Sequence, residues 1–183
     1  MVGPSGVGKD SLLAGARARL DGDPRFVFPA RCITRNADAG GEQHIAMTPA
    51  EFEAARAAGQ FLLSWYSHGL GYGIARTAAE DLARNSIVVV NVSRTVIGWA
   101  EELVDKVVVL HVTAEPAELA RRIALRGRED AADIAARLAR EVTVTTRSAA
   151  IVEIANNGAL DAAVERFTAA LLGLAAARSE SAR

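Results

Sequence analysis

Cysteine is almost absent: Cys32 stands alone in 183 residues. An internal disulfide is therefore excluded, which agrees with a reducing, cytoplasmic setting. No partner group for a nucleophilic thiol lies nearby, so Cys32 reads as a strand residue. Aromatics are sparse at 5%, whereas half of the residues are hydrophobic and alanine is abundant. That composition suits helices packed on a sheet. An excess of charge of either sign is also missing, with 21 Lys+Arg against 22 Asp+Glu. General nucleic-acid binding gains no support from that balance. No apolar run approaches a membrane span and no signal-peptide pattern is visible, so neither a membrane nor a nucleic acid is an expected partner. The length suits one domain with a single core, and no internal repeat is visible.

What is present starts at residue 3, with Gly3-Pro4-Ser5-Gly6-Val7-Gly8-Lys9-Asp10. Gly3, Gly8 and Lys9 have the spacing of a phosphate-binding loop. Glycines let backbone N–H groups converge on an anion. A following helix adds the positive end of its dipole, and Lys9 adds a full charge. Three fixed positions can coincide by chance, but Leu12, Leu13, Ala16 and Leu20 set a helical pattern immediately after the loop. Residues 3 to 11, ending in Asp10 and Ser11, form the candidate nucleotide cradle. Asp10 occupies the place of the usual magnesium-binding hydroxyl. Either its carboxylate serves Mg²⁺, directly or through water, or it is an acidic first-turn residue and Ser11 or water serves the metal. Only Met1 and Val2 precede the loop, where a full central strand is expected; the rest of that strand is expected upstream.

Strand and helix signals alternate along the chain. Apolar, β-rich runs cover 26–33, 87–92, 107–112 and 151–155; helical patterns fill 10–20, 77–84, 116–126, 131–141 and 159–175. Continuous Val/Ile runs between helices predict an α/β fold on a parallel sheet covered on both faces. Thr48-Pro49-Ala50-Glu51 predicts a capped helix start with a capping box. The tail from about Arg178 is polar and expected to fray. Residues 34–76 read as an inserted subdomain. Arg122, Arg126, Arg128, Arg137 and Arg140 stand in a segment, 122–140, with few counter-charges on the same turns. Such arginines form either a solvated helix face or a lid that closes over transferring phosphates; the phosphate loop favours the lid.

These motifs in order resemble the guanylate kinase group of P-loop kinases over nearly the whole chain. "GPSGVGKD" resembles its phosphate loop, "ITRNADAGGE" its acceptor-phosphate motif, and Tyr72-Gly73 its second acceptor contact. Arg122, Arg126 and Arg137 have the spacing of its lid, and "IANNGALDAA" resembles the run before its last helix. The resemblance implies a three-layer P-loop kinase using ATP and Mg²⁺, in one domain with an acceptor-binding insertion and an arginine lid. The positions that read guanine in that group are held here by Arg31, Leu63 (or Ser64), Ile74 and Asn91. A second phosphate-binding arginine is replaced by Asp38, and a tyrosine by His44. No carboxylate remains at the guanine-reading places, whereas guanine's donors need an acceptor. A cation there favours a second anionic group instead.

With "TRNADAGGEQH", "SWYSHGLGYGI" and "VVVNVSR", the chain closely resembles the ribose 1,5-bisphosphate phosphokinase family of phosphonate catabolism. The resemblance implies ATP-dependent phosphorylation of a sugar bisphosphate to 5-phosphoribosyl 1-diphosphate. On it, Lys9, Arg126 and Arg137 would be catalytic, and Arg122 would stack on adenine or hold a phosphate. Asn156 would lie with the nucleotide. Arg35 and Tyr72 would hold the acceptor 1-phosphate, and Arg31 and His44 the sugar's far side or 5-phosphate. His68 and His111 receive no role, His111 being an expected strand residue. Two other readings stand beside this one: a nucleoside monophosphate kinase such as a guanylate kinase, and a non-catalytic guanylate-kinase-like binding module. Modules of the latter kind typically lose the loop lysine and lid arginines, both kept here.

Overall fold

A computed structural model describes residues 1–38, 42–125 and 143–180. They fall into two compact units, Met1–Leu20 with Lys106–Arg183, and Asp21–Asp105. The elements of the first unit are α1 (Lys9–Arg19), β7 (Val108–Thr113), α5 (Pro116–Leu125), β8 (Ala150–Ala155) and α6 (Leu160–Glu180). Those of the second are β1 (Phe26–Val27), β2 (Cys32–Ile33), β3 (Ile45–Ala46), α2 (Pro49–Ala57), β4 (Phe61–Ser67), β5 (Leu70–Ala75), α3 (Ala78–Ala83), β6 (Ile87–Val88) and α4 (Ile97–Leu103).

In the first unit β7 and β8 run parallel, in register from Val108 with Ala150 to Thr113 with Ala155. Val2 joins them through a parallel bridge to His111. Its N–H donates to Leu110 O, and its carbonyl accepts from Val112 N, both at 2.9 Å. The residue before the phosphate loop is thus hydrogen-bonded into this sheet and 2% exposed. Leu12 and Ala16 bury the inner stripe of α1, and Leu20 continues it just past the last turn, as their spacing predicts. The helix packs along α6, where Ala163, Val164, Phe167 and Leu171 are buried. Burying such a large apolar side chain contributes about 1.5–3 kcal/mol.

In the second unit β1 pairs parallel with β6. A four-stranded mixed sheet has the order β3-β2-β5-β4. β2 is parallel to β3 and antiparallel to β5, and β4–β5 is an antiparallel hairpin. His68 and Gly69 turn that hairpin at φ 51° and 74°, the left-handed pair that suits the strands' twist. Leu63, Trp65, Ile74, Ala78 and Val96 form one core cluster; Cys32, Phe52, Ala55 and Phe61 form another. Burial pushes the Cys32 thiol pKa up, which fits a strand residue. At the start of α2 the capping box forms as expected, Glu51 N donating to Thr48 Oγ1 and Thr48 N to Glu51 Oε2.

Several boundaries differ from expectation. The run at 26–33 is two short strands, because Pro29 between them has no N–H for a ladder. The 87–92 run is strand only over Ile87–Val88. The β4–β5 hairpin within 34–76 reads poorly in sequence, its glycines and polar residues masking the alternation. The last helix continues through Arg178 to Glu180. There Ala175–Ala177 supply strong helix propensity, and Ser179 Oγ donates to Ala175 O. The expected helix at 131–141 lies outside the described residues.

Candidate nucleotide and acceptor sites

The phosphate loop forms the turn its glycines permit. Gly8 has φ 94°, and a Cβ there would lie 2.6 Å from Asn156 Nδ2; at Gly3 it would lie 2.4 Å from Val112 O. At Gly3 a side chain would collide with backbone, and at Gly8 it would need a positive φ and would displace a buried amide, so the cradle favours hydrogen at both places. The ladder of α1 opens with Leu12 N donating to Gly8 O at 3.0 Å. The loop therefore runs straight into a helix N-terminus, an anion-binding arrangement. Lys9 curls back along the loop, its Nζ donating to Gly3 O and Pro4 O at 2.8 Å each. Asp10 and Ser11 stand exposed in the first turn of α1. The residues present fit a nucleotide's phosphates.

Asn156 closes the loop from behind. It is 2% exposed, anchored by its N–H to Thr113 O at 2.8 Å, and its Nδ2 donates to Val7 O at 2.7 Å. Arg122 comes from α5. Its Nε donates to Glu118 Oε1 at 2.7 Å and its other arm to Gly158 O at 3.4 Å. Its Nη1 is 3.9 Å from where a Gly8 Cβ would sit. Arg122 therefore does have a counter-charge, one helical turn earlier. Glu118 also accepts both arms of Arg121 at 2.9 Å. Those bonds, with Arg122's, hold its carboxyl down to about 2. Arg126 and Arg137 lie outside the described residues, as do Arg128 and Arg140. His111 is the expected strand residue, and burial lowers its pKa.

The second unit collects Arg31, Arg35, His44 and Tyr72. Arg31 is not an unaccompanied cation. Its Nε donates to Glu42 Oε2 at 2.9 Å, its Nη2 to Glu42 Oε1, and its Nη1 to Asn91 O at 3.1 Å. Its guanidinium lies 5.3 Å from the centre of the Tyr72 ring, which stacks on Trp65 at 5.4 Å and 7°. Glu42 thus brings a carboxylate to this site from outside the aligned guanine-reading positions. Of those positions, Ile74 is a core residue, 1% exposed, and so is Leu63 at 6%, whereas its alternative Ser64 is only partly buried. Asn91 is also buried, at 3%.

Arg35 contrasts with Arg31. It is partly buried, its Nε is buried without a hydrogen-bond partner, and no ion pair reaches it among the described residues. Among the described residues, the side-chain contact of its guanidinium is with His44 Nδ1, 3.3 Å from its Nη2. The His44 ring spans two backbone carbonyls, Nδ1 at 3.0 Å from Glu42 O and Nε2 at 3.1 Å from Arg35 O. It therefore staples the segment that carries both Arg35 and Glu42. Asp38 is exposed. Glu42, Trp65 and Glu118 were not read from sequence as site residues. Glu118 had a findable signal, since it precedes Arg122 by one helical turn; Glu42 lay inside the quoted motif, but its partner is eleven residues away.

No protein-family model matches the chain. A ribose 1,5-bisphosphate phosphokinase PhnN of Methylobacterium radiotolerans is 49% identical over 93% of this chain and 94% of that protein. One of Brucella melitensis is 42% identical over 91% and 87%. A bifunctional ribose 1,5-bisphosphokinase-thymidine phosphorylase of Azorhizobium caulinodans is 45% identical over 94% of this chain, which spans only 25% of that longer protein. Among solved structures, guanylate kinase from Anaplasma phagocytophilum superposes with a TM-score of 0.57 at 20% identity, covering 94% of this chain and 82% of that one. That likeness bears out the expected guanylate-kinase-like P-loop fold. By its kinship with full-length relatives, the chain belongs to the ribose 1,5-bisphosphate phosphokinase family.

Proposed function

We propose that the chain transfers a phosphoryl group from ATP to the 1-phosphate of ribose 1,5-bisphosphate, giving 5-phosphoribosyl 1-diphosphate and ADP. The observation that carries this reading is the fate of the guanine-reading positions. Ile74 is packed into the core, as is Leu63 at the position shared with Ser64, and Arg31 is fastened to Glu42. Those two core positions offer nothing to a base, while Arg35, partly buried and with no acidic partner among the described residues, remains for an anion. Membership in a kinase family and the names of the relatives support the same substrate.

Bound ATP with Mg²⁺ would supply the phosphoryl group and much of the charge neutralisation. The loop amides and Lys9 would hold its phosphates, and Asp10 is proposed for the magnesium. Asn156 would keep the loop in shape, and Arg122 would meet the nucleotide beside Gly8. Arg35 and the Tyr72 hydroxyl would orient the acceptor 1-phosphate, with His44 fixing the Arg35 segment. A phosphate oxygen is already nucleophilic, so the protein need only position and neutralise. Arg126 and Arg137 are proposed to steady the charge that develops in transfer. A single domain with an insertion at 34–76 and a lid at 122–140, working in the cytoplasm on a small sugar bisphosphate, belongs to the same proposal.

The test is direct. Purified protein is given ATP and either ribose 1,5-bisphosphate or GMP, and products are followed by ³¹P NMR. Fast turnover with the sugar and poor turnover with GMP is expected. A preference for GMP would install guanylate kinase in its place.

A further inference from the structure

We propose that Glu42 is a positioning residue: through Arg31 it fixes the ring of Tyr72, so that Arg31 serves the acceptor site by holding Tyr72 and not by meeting an anion itself. The proposal rests on the reading of Tyr72 as an acceptor-phosphate ligand. Three observations carry it. First, the guanidinium is held on two sides, by the Glu42 carboxylate in a two-pronged bond and by Asn91 O. The Arg31 and Glu42 side chains are only 11% and 15% exposed. The pair is neutral as a unit, so its pull on a distant phosphate is largely cancelled.

Second, the sheet puts Tyr72 between two planar groups. β5 lies between β2 and β4, and Tyr72 is in register with Ile33 on one side and Trp65 on the other. Arg31, two residues before Ile33, approaches the ring from the β2 side at 5.3 Å, and Trp65 stacks on it from the β4 side. Third, the Tyr72 hydroxyl makes no hydrogen bond to the described residues, although its ring is held on both sides. A phenol with a fixed ring and an uncommitted hydroxyl is pre-organised to donate to an incoming oxygen.

The competing idea, that a substrate phosphate pulls Arg31 away from Glu42, predicts the opposite sign. Glu42→Gln would then release the arginine's charge and lower KM for the acceptor. On the positioning account the same change loosens Arg31 and raises acceptor KM by about ten- to a hundredfold, leaving ATP KM within about twofold. Arg31→Lys should behave alike, because an ammonium keeps the charge but cannot fork or lie flat on a ring. In a Tyr72→Phe background, Glu42→Gln should add little further loss, since the hydroxyl it positions is already gone.

Fluorescence gives a readout without turnover. In a Trp99→Phe background, Trp65 emission reports its stack on Tyr72, and both Glu42→Gln and Arg31→Lys should change it. That measurement needs no substrate, so failure of the substrate assignment and failure of this proposal remain distinguishable. A lowered or unchanged acceptor KM in Glu42→Gln, or wild-type acceptor KM and Trp65 emission in Arg31→Lys, would overturn it. If Glu42→Gln does not fold, the Arg31→Lys arm decides alone.

Discussion

The Asn156 amide donates to the Val7 carbonyl at 2.7 Å, joining the end of β8 to a loop 149 residues earlier. The contact is buried, and it braces the part of the loop where a Gly8 side chain would have stood. Asn156→Ala should therefore cost about 1–3 kcal/mol, the price of a buried carbonyl left without its donor. It should also raise KM for ATP by about tenfold. Asn156→Asp should be worse for ATP than alanine, because it sets an acceptor-only carboxylate beside a carbonyl and a phosphate-binding loop. Melting curves and ATP kinetics on the two variants check both parts. Equal ATP KM in the wild type and both variants would show the contact to be dispensable.

Lys9→Ala should abolish phosphoryl transfer while leaving the fold in place. The Nζ bonds two loop carbonyls, Gly3 O and Pro4 O, and Lys9 is only partly buried. Loss of a positioned phosphate-binding cation of this kind costs on the order of a thousandfold. Circular dichroism should be unchanged. Wild-type turnover in the variant would remove the loop from the chemistry altogether.

The parts of the molecule legible in sequence are those with local physics. The phosphate loop, the buried stripe of α1 and the Thr48 capping box each depend on residues within a few positions of one another. The β4–β5 hairpin was not legible, because Gly71 and Gly73 and the polar residues beside them hide its alternation, and its turn rests on a histidine with positive φ. The acceptor site was legible in its cations and not in their state. Arg31 and Arg35 look equivalent in the sequence. One is fastened to a carboxylate eleven residues on and the other has none among the described residues, a difference set by how β2 and β3 are brought side by side.

Acid should loosen the nucleotide side through Glu118. Its carboxyl is held from an ordinary 4.5 down to about 2, chiefly by Arg121 and further by Arg122. A depressed carboxyl pKa gives stability that is complete above the ordinary value and is lost as pH falls toward the folded one. Melting temperature should therefore drop more steeply for the wild type than for Glu118→Gln between about pH 5 and about pH 2.5. Parallel curves for the two proteins would mean that Glu118 contributes nothing to acid stability.

Arg35 sets function against stability. A partly buried guanidinium whose Nε lacks a partner, and which has no acidic neighbour among the described residues, is costly to keep. Without an anion bound, Arg35→Ala should leave the melting temperature unchanged or raise it. With the acceptor, the same change should be severe. Losing the charged partner of a desolvated phosphate costs about 2–5 kcal/mol, roughly thirty- to several-thousand-fold in affinity. The loss should fall on acceptor KM and not on ATP KM, since Arg35 belongs to the acceptor motif. The two measurements together are decisive. A lower melting temperature with an unchanged acceptor KM would make Arg35 a structural residue held by His44, and the acceptor phosphate would need another ligand.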